Sequence, residues 1–278
     1  MPSPETTKPL SDCSRLTAAL RVCLVLATGS MMTSGCRSAA STANAGLMAG
    51  VAATARSAGM DPSDRHFAAA LAAERSLPRE WFVPAGIRAA AYLQQPLPIG
   101  AGQTISDPYV VALMTAAARV RAGTNVLEVG TGSGYQAAVL ARMGARVTTL
   151  EIVPELAARA AATLRRHGFG RILLRAADGF AGWPSRGPFD AIIATAGAAK
   201  ASRPLLDQLA PGGRLVIPIG SRPEEEQILV YEREDDRYRV CSLGPATFVP
   251  FTGAALGAGA AGDSPDDVQP FCYGRAVT

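Results

Sequence analysis

Apolar positions along the chain fall into two regimes. From Met48 to Arg79 they recur at helical spacing (Phe67, Leu71, Leu77) in an alanine-rich background, which predicts two helices parted near Asp61-Pro62. From Pro84 to Pro108 the periodicity is lost. Pro96, Pro98, Gly100 and Gly102 interrupt it, while Ile87, Tyr92, Leu97 and Ile99 keep the stretch too apolar for a solvated linker, so it reads as a functional loop. Pro108 then opens a helix to about Val120, with Asp107 or Ser106 placed to cap it. After Gly123 short apolar runs alternate with helical patterns. Strands are predicted at Asn125–Val129, Arg146–Glu151, Ile172–Arg175, Ala191–Ala194 and Gly213–Ile217, and helices at Tyr135–Arg142, Pro154–His167 and Pro204–Leu209. That alternation predicts an α/β fold, a doubly wound and mostly parallel sheet with helices on both faces. Gln227–Tyr231 and Tyr238–Leu243 read as antiparallel strands completing the sheet. The expected domain spans residues 48–253, with residues 48–122 as a helical and loop cap. The Gly/Ala/Asp/Pro-rich residues 254–278 read as a loose tail with a docking point at Pro270-Phe271-Cys272-Tyr273.

Composition narrows the functional classes. Hydrophobic residues make up 48% and charged residues 18% of 278 positions, as in a globular domain with a sizeable core. A net charge of +4 with interspersed signs gives no basic face, so no nucleic-acid partner is expected. Cys13, Cys23, Cys36, Cys241 and Cys272 are scattered without a CxxC pair, so neither a disulfide framework nor a zinc site is expected. With His66 and His167 the only histidines, no metal is expected either. His167, before Gly168 at a helix end, is accounted for by the helix dipole.

Residues 1–47 are of another kind. Lys8, Arg15 and Arg21 precede an apolar run from Val22 to Met32, then Thr33-Ser34-Gly35-Cys36 and a Ser/Ala/Thr-rich stretch. This is the order of a secretory signal, and the small residues before Cys36 are similar to a lipoprotein signal, although Thr33 stands where leucine is preferred. The run is short for a membrane span. A disordered extension, with Met48 opening the folded domain, fits the same residues.

Between the first buried strand and its helix stand Gly130, Thr131, Gly132, Ser133 and Gly134. Glycines there let backbone approach a ligand at the carboxyl ends of the strands. The third glycine comes one residue too early for G-x-G-x-x-G, and Tyr135 fills that place, which disfavours a nicotinamide dinucleotide. Glu128 precedes the loop, where it can orient it or meet a cationic ligand. Glu151 ends the next strand, a place from which a carboxylate accepts from ribose hydroxyls. Asp178-Gly179 follows the third strand, suited to an adenine.

The run VLEVGTGSGYQAAVLA (126–141) resembles motif I of the class I S-adenosylmethionine-dependent methyltransferases, and in particular the protein-L-isoaspartate O-methyltransferase family. Similar blocks follow that family's order: LPREWFVP (77–84), PLPIGAGQTISDPYVVALM (96–114), DGFAGWP (178–184), FDAIIATAGA (189–198), LAPGGRLVIPIG (209–220) and LGPATFVPFTG (243–253). The resemblance implies a Rossmann-like methyltransferase sheet and S-adenosyl-L-methionine as methyl donor, leaving as S-adenosyl-L-homocysteine, without a metal. It implies Ser106 as the active-site residue, and Glu128, Gly130, Thr131, Gly132, Ser133, Gly134, Glu151, Asp178 and Gly179 as the cofactor site. Thr104, Ile105, Thr195, Ala196, Val249 and Pro250 would frame the peptide, with Val83-Pro84 as packing. The implied reaction esterifies the free carboxylate of L-isoaspartyl, and by extension D-aspartyl, residues in damaged proteins. The ester closes to a succinimide that hydrolyses in part to aspartate. A carboxylate with pKa near 4 is already ionised and needs no general base, so Ser106 is read as holding the acceptor. Ala52, Ala53, Gln94 and Gln95 depart from the family's usual polar or acidic positions and bear on peptide binding. Three other readings stand beside this one: a class I methyltransferase for a small molecule or RNA, a non-catalytic tethered binding protein on the same scaffold, and an NAD-dependent reductase. A monomer in the cytoplasm, where the donor is made, is expected; membrane attachment would require the leader to act as an anchor.

Overall fold

A computed structural model describes residues 39–253, Val268, Gln269 and Cys272. The signal-like residues and Cys36 lie outside the described residues. The chain begins with α1 (Ala39–Ser57) and α2 (Arg65–Arg75), parted at Asp61-Pro62 as the periodicity predicts. Asp64 caps α2, its carboxylate accepting from the His66 and Phe67 amides. However, α1 starts nine residues before Met48. Leu47 is buried, and the Asn44 side-chain amide donates to the Glu74, Arg75 and Leu77 carbonyls at 3.1, 2.9 and 3.1 Å. It thereby satisfies carbonyls left open where α2 ends. The folded domain therefore takes in residues that the sequence assigned to the extension.

The Pro-rich stretch contains two short 3-10 turns (Arg79–Phe82 and Ala85–Ala90) and an antiparallel hairpin of β1 (Leu97–Gly100) with β2 (Gln103–Ile105). Trp81 stacks on His167 with ring centroids 3.9 Å apart and planes 6° apart. His167 thus serves as a packing partner as well as a helix end. α3 (Pro108–Ala117) follows, capped by Asp107, whose carboxylate accepts from the Tyr109 amide at 2.7 Å. Ser106 is not the cap.

The main sheet comprises β3 (Asn125–Val129), β4 (Arg146–Glu151), β5 (Leu173–Ala176), β6 (Phe189–Ala194), β7 (Leu209–Ile219), β8 (Gln227–Glu234), β9 (Arg237–Pro245) and β10 (Val268–Gln269). Their order is β10-β9-β8-β7-β6-β3-β4-β5, with β3 to β7 parallel and β8 antiparallel to both β7 and β9. α4 (Tyr135–Arg142), α5 (Pro154–Arg166) and α6 (Arg203–Asp207) connect the parallel strands. Alternate residues of the strands feed two cores. Val126, Val147, Ile193 and Val216 face α1 to α5, while Leu127, Leu150, Ile192 and Leu215 face α6. This is the doubly wound arrangement expected. From β3 the chain runs outward to β4 and β5, then returns to the other side of β3 as β6, so the winding reverses between β3 and β6. In open α/β sheets ligands bind at that reversal, beyond the carboxyl ends of the strands.

One expectation fails here. Cys241 and Cys272 form a disulfide. β10 lies parallel to β9, and the Cys272 amide donates to the Ser242 carbonyl at 3.0 Å. The tail therefore docks through Cys272 and covers an edge that would otherwise present unpaired backbone. The two cysteines stand 31 positions apart, so no local spacing announces the pair. Among the described residues no helix is long and apolar enough to cross a membrane, and no cluster of potential metal ligands occurs.

Candidate active site

At the reversal point the buried strand β3 delivers Val129 into the glycine loop. Gly130 has φ +96°, and a Cβ there would overlap Thr195 Oγ1, so only glycine fits. Thr195, just beyond β6, places its hydroxyl 2.6 Å from the Gly130 carbonyl, while the Gly130 and Thr131 amides donate to the Leu150 carbonyl of β4 at 2.8 and 3.1 Å. The loop is thus tied to both neighbouring strands. Glu151, at the end of β4, accepts from the Gly132 amide at 2.7 Å through Oε2 and from the Val153 amide at 2.9 Å through Oε1. Asp178 accepts from the Phe180 amide at 2.8 Å, and Gly179 packs so closely on Val129 that a side chain has no room.

Gly130, Thr131, Gly132, Ser133, Glu151, Asp178 and Gly179 line a single crevice. Glu128 and Gly134 do not. Gly134 is the left-handed residue opening α4, set against Leu164. Glu128 lies wholly buried beneath the loop. The Thr149 hydroxyl donates to Glu128 Oε2 at 2.5 Å, and Thr131 Oγ1 lies 2.6 Å from Thr149 Oγ1. Because Thr149 has one proton, given to Glu128, Thr131 is the donor in the second bond. Glu128 Oε1 has no partner. Burial pushes the carboxyl up to about 8, against the Thr149 hydrogen bond and the pull of the Ala137 amide, and reinforced by the charge of Glu151. Of the two roles read for Glu128, its contacts are those of a support for the loop, and it does not line the crevice.

The hairpin lines the same crevice, with Thr104 and Ile105 of β2 and then Ser106 facing it. Ser106 is held by its carbonyl, which accepts from Arg79 at 2.9 Å. Among the described residues its hydroxyl engages no protein group. Arg159 of α5 donates to the Ile99 carbonyl and braces the hairpin from below.

Thr195-Ala196 and Val249-Pro250 line the crevice as well. Gly197 joins them, its amide donating to the Val249 carbonyl at 2.9 Å and its carbonyl accepting from the Phe251 amide at 2.7 Å. Glu226 accepts from the Phe248 amide at 2.7 Å and occupies the space beside Gly197. All six residues proposed to frame the peptide therefore meet here, from three parts of the chain. Sequence reasoning passed over Tyr135, Gln136, Val111 and Phe251, which also line the crevice. Tyr135 and Gln136 lie within the quoted glycine-loop run, and only their burial distinguishes them. Arg79 was missed as well, although it stands in LPREWFVP.

Comparison with known proteins identifies the family. The family model for protein-L-isoaspartate(D-aspartate) O-methyltransferase matches residues 55–256. A protein-L-isoaspartate O-methyltransferase of Gloeobacter violaceus is 50% identical over 184 residues, covering 66% of this chain and 90% of that protein. One from Opitutus terrae is 51% identical over 184 residues, covering 66% of this chain and 79% of its own. Among solved structures, a protein-L-isoaspartate O-methyltransferase superposes with a TM-score of 0.68 at 24% identity, over 76% of this chain and 67% of that one. A Plasmodium falciparum protein described as a beta-aspartate methyltransferase in complex with S-adenosyl-L-homocysteine gives 0.62 at 21% identity, over 73% and 97%. At those identities the structural likeness concerns the fold. With its family match spanning residues 55–256 and relatives half identical to it, the chain belongs to the protein-L-isoaspartate O-methyltransferase family.

Proposed function

We propose that this protein methylates the free carboxylate of L-isoaspartyl residues, and of D-aspartyl residues, in damaged proteins. The observation that carries the reading is the crevice itself, lined by a glycine loop, two carboxylates, Thr104, Ile105 and an unengaged Ser106 hydroxyl.

S-adenosyl-L-methionine supplies, when bound, an electrophilic methyl group. The residues present fit it. Beside Gly132 the nearest atom to an added Cβ is Ile99 Cδ1 at 3.5 Å, so the loop offers open backbone rather than a filled wall. Glu151 spends one lone pair of each oxygen on backbone amides, and its remaining lone pairs are available to hydroxyl donors. Gly130 to Ser133, Glu151, Asp178 and Gly179 would hold the donor, with Glu128 and Gly134 supporting the loop from behind.

On the acceptor side Ser106 donates a hydrogen bond to the isoaspartyl carboxylate and fixes its direction, while Thr104, Ile105, Thr195, Ala196, Val249 and Pro250 enclose the peptide. No protein base is required, because the acceptor is ionised at neutral pH. The protein's contribution is orientation and exclusion of water. The ester then loses methanol as the peptide nitrogen closes the succinimide, whose hydrolysis returns part of the material as aspartate. Methyl transfer from S-adenosyl-L-methionine to an isoaspartyl peptide, but not to its aspartyl twin, tests the reading. Transfer to RNA or a small metabolite instead would replace the substrate.

The cytosolic source of the donor favours a cytoplasmic enzyme, and we propose that it acts as a monomer. The Cys241–Cys272 bond favours a second reading, an exported or membrane-tethered enzyme, because disulfides persist in oxidising compartments. Fractionation of cells with thiol trapping separates the two.

A further inference from the structure

We propose that Arg79 is a positioning residue for the methyl acceptor, its guanidinium fixing the loop that carries Ser106 relative to the glycine loop. The inference rests on the methyltransferase reading above. Arg79 is 0% exposed, although arginine is among the residues least often buried. Through one nitrogen it donates to the Ala91 carbonyl at 2.8 Å and the Leu93 carbonyl at 3.3 Å. Through the other it donates to the Gln95 carbonyl at 3.0 Å and the Ser106 carbonyl at 2.9 Å. Four backbone carbonyls on either side of the β1–β2 hairpin thus converge on one planar group. The guanidinium satisfies these oxygens, sharing that of Leu93 with the Gln95 amide, which donates to it at 3.0 Å.

The same guanidinium lies over the ring of Tyr135, 6.0 Å from its centroid. Tyr135 is the first residue of α4, directly after Gly134, and it lines the crevice. Phe82 meets its edge at 5.3 Å, and its hydroxyl donates to buried Glu74 at 3.1 Å, so the ring cannot swing away. Arg79 therefore holds the backbone of the acceptor loop and lies over the ring of the residue that follows the donor loop. Methyl transfer depends steeply on the distance between acceptor and donor, and the guanidinium bridges the elements that carry them.

Arg79→Lys in the full chain keeps the charge but replaces a five-donor planar fork with three donors on one atom. The turnover number for an isoaspartyl peptide is expected to fall about 10- to 100-fold. Affinity for S-adenosyl-L-homocysteine should change by less than about threefold, because the backbone of the glycine loop is untouched. In a Ser106→Ala background the same substitution should cost less than about threefold in turnover, since both residues act through one geometry. A readout independent of turnover is amide exchange, which should rise across residues 101–107 in Arg79→Lys while β3 and β4 stay protected. Equal losses in both backgrounds, loss of homocysteine-product binding in step with turnover, or unchanged exchange would overturn the proposal. An unaltered chain inactive on isoaspartyl peptide refutes the functional reading alone, and exchange still decides the role of Arg79. Should Arg79→Lys not fold, exchange in the unaltered protein decides it. Residues 103–107 should then fall in the same slow class as α3, and exchange as fast as an exposed turn would overturn the inference.

Discussion

Glu128 offers the sharpest test of how the donor loop is supported. Its carboxyl is fully buried, receives one hydrogen bond from Thr149, and leaves Oε1 unpartnered. Burial raises it from an ordinary 4.5 to about 8. Below pH 4.5 the folded and unfolded chains are both protonated at this site, and its stabilising preference for the proton is fully present. As the pH rises from 4.5 to about 8 the unfolded chain releases a proton that the folded chain retains, so stability falls throughout that window and levels off above it. At about 1.4 kcal/mol per pH unit, the part of the window above pH 5.5 amounts to about 3 kcal/mol.

Glu128→Gln copies the protonated carboxyl in shape, keeps an acceptor for Thr149 and cannot ionise. Urea unfolding of the two proteins at pH 5.5, 7.0 and 8.5 measures the difference directly. In the folded state at the lowest pH the variant replaces one neutral group by another, and the unit of the window between pH 4.5 and 5.5 should already favour the variant by about 1 kcal/mol. It should gain on the parent by about 3 kcal/mol at the highest, and by no less than about 1 kcal/mol if water reaches Oε1 and lowers the charging cost. Parallel pH profiles would mean that Glu128 titrates alike in both states, and the buried, neutral support described here would be wrong.

Ser106→Ala should reduce isoaspartyl methylation about 100-fold while leaving S-adenosyl-L-homocysteine affinity intact by calorimetry, as expected for a group that only orients the acceptor. Parallel loss of both would refute that role. Glu151→Ala removes the acceptor of the Gly132 and Val153 amides. It should weaken cofactor binding by about 1–3 kcal/mol, and an unchanged dissociation constant would sink the assignment. Reducing Cys241–Cys272, which closes a separation of 31 residues, should lower stability by about 2–4 kcal/mol in urea. Turnover below the transition should hold, because the crevice wall at Val249 is tied to Gly197 rather than to β10.

The central half of the fold was legible because its signals are local. β3 (Asn125–Val129), β4 (Arg146–Glu151) and α4 (Tyr135–Arg142) carry the predicted boundaries, since a short apolar run ending in glycines leaves a buried strand few ways to stop. The β1–β2 hairpin was not legible. Its strands have four and three residues, prolines break the alternation, and the turn passes through Ala101 and Gly102 at positive φ. Asn44 could not be read either, because its three partners are carbonyls more than thirty residues away or at that distance. Glu128 shows a subtler limit. β3 is covered on both faces, so its sequence does not say whether position 128 points at the ligand or beneath it.

The two loops that line the crevice solve the same problem in different ways. Neither belongs to the regular bonding of the main sheet at its tip, so each needs buried partners of its own. The donor loop rests on the chain Thr131, Thr149 and Glu128, whose last member holds its proton up to about pH 8. The acceptor loop rests on Arg79, whose guanidinium burial lowers from its ordinary value but whose carbonyl partners it can satisfy only as a cation. A neutral acid suits the donor side, because a fixed charge under the glycine loop would repel Glu151, which presents its own charge nearby. A permanent cation suits the acceptor side, where four converging carbonyls supply the negative ends of their dipoles. The arrangement makes the geometry of the donor loop sensitive to alkaline pH and that of the acceptor loop insensitive to it. Alkaline loss of activity should therefore appear first as weaker cofactor binding, with peptide binding following only when the fold itself yields.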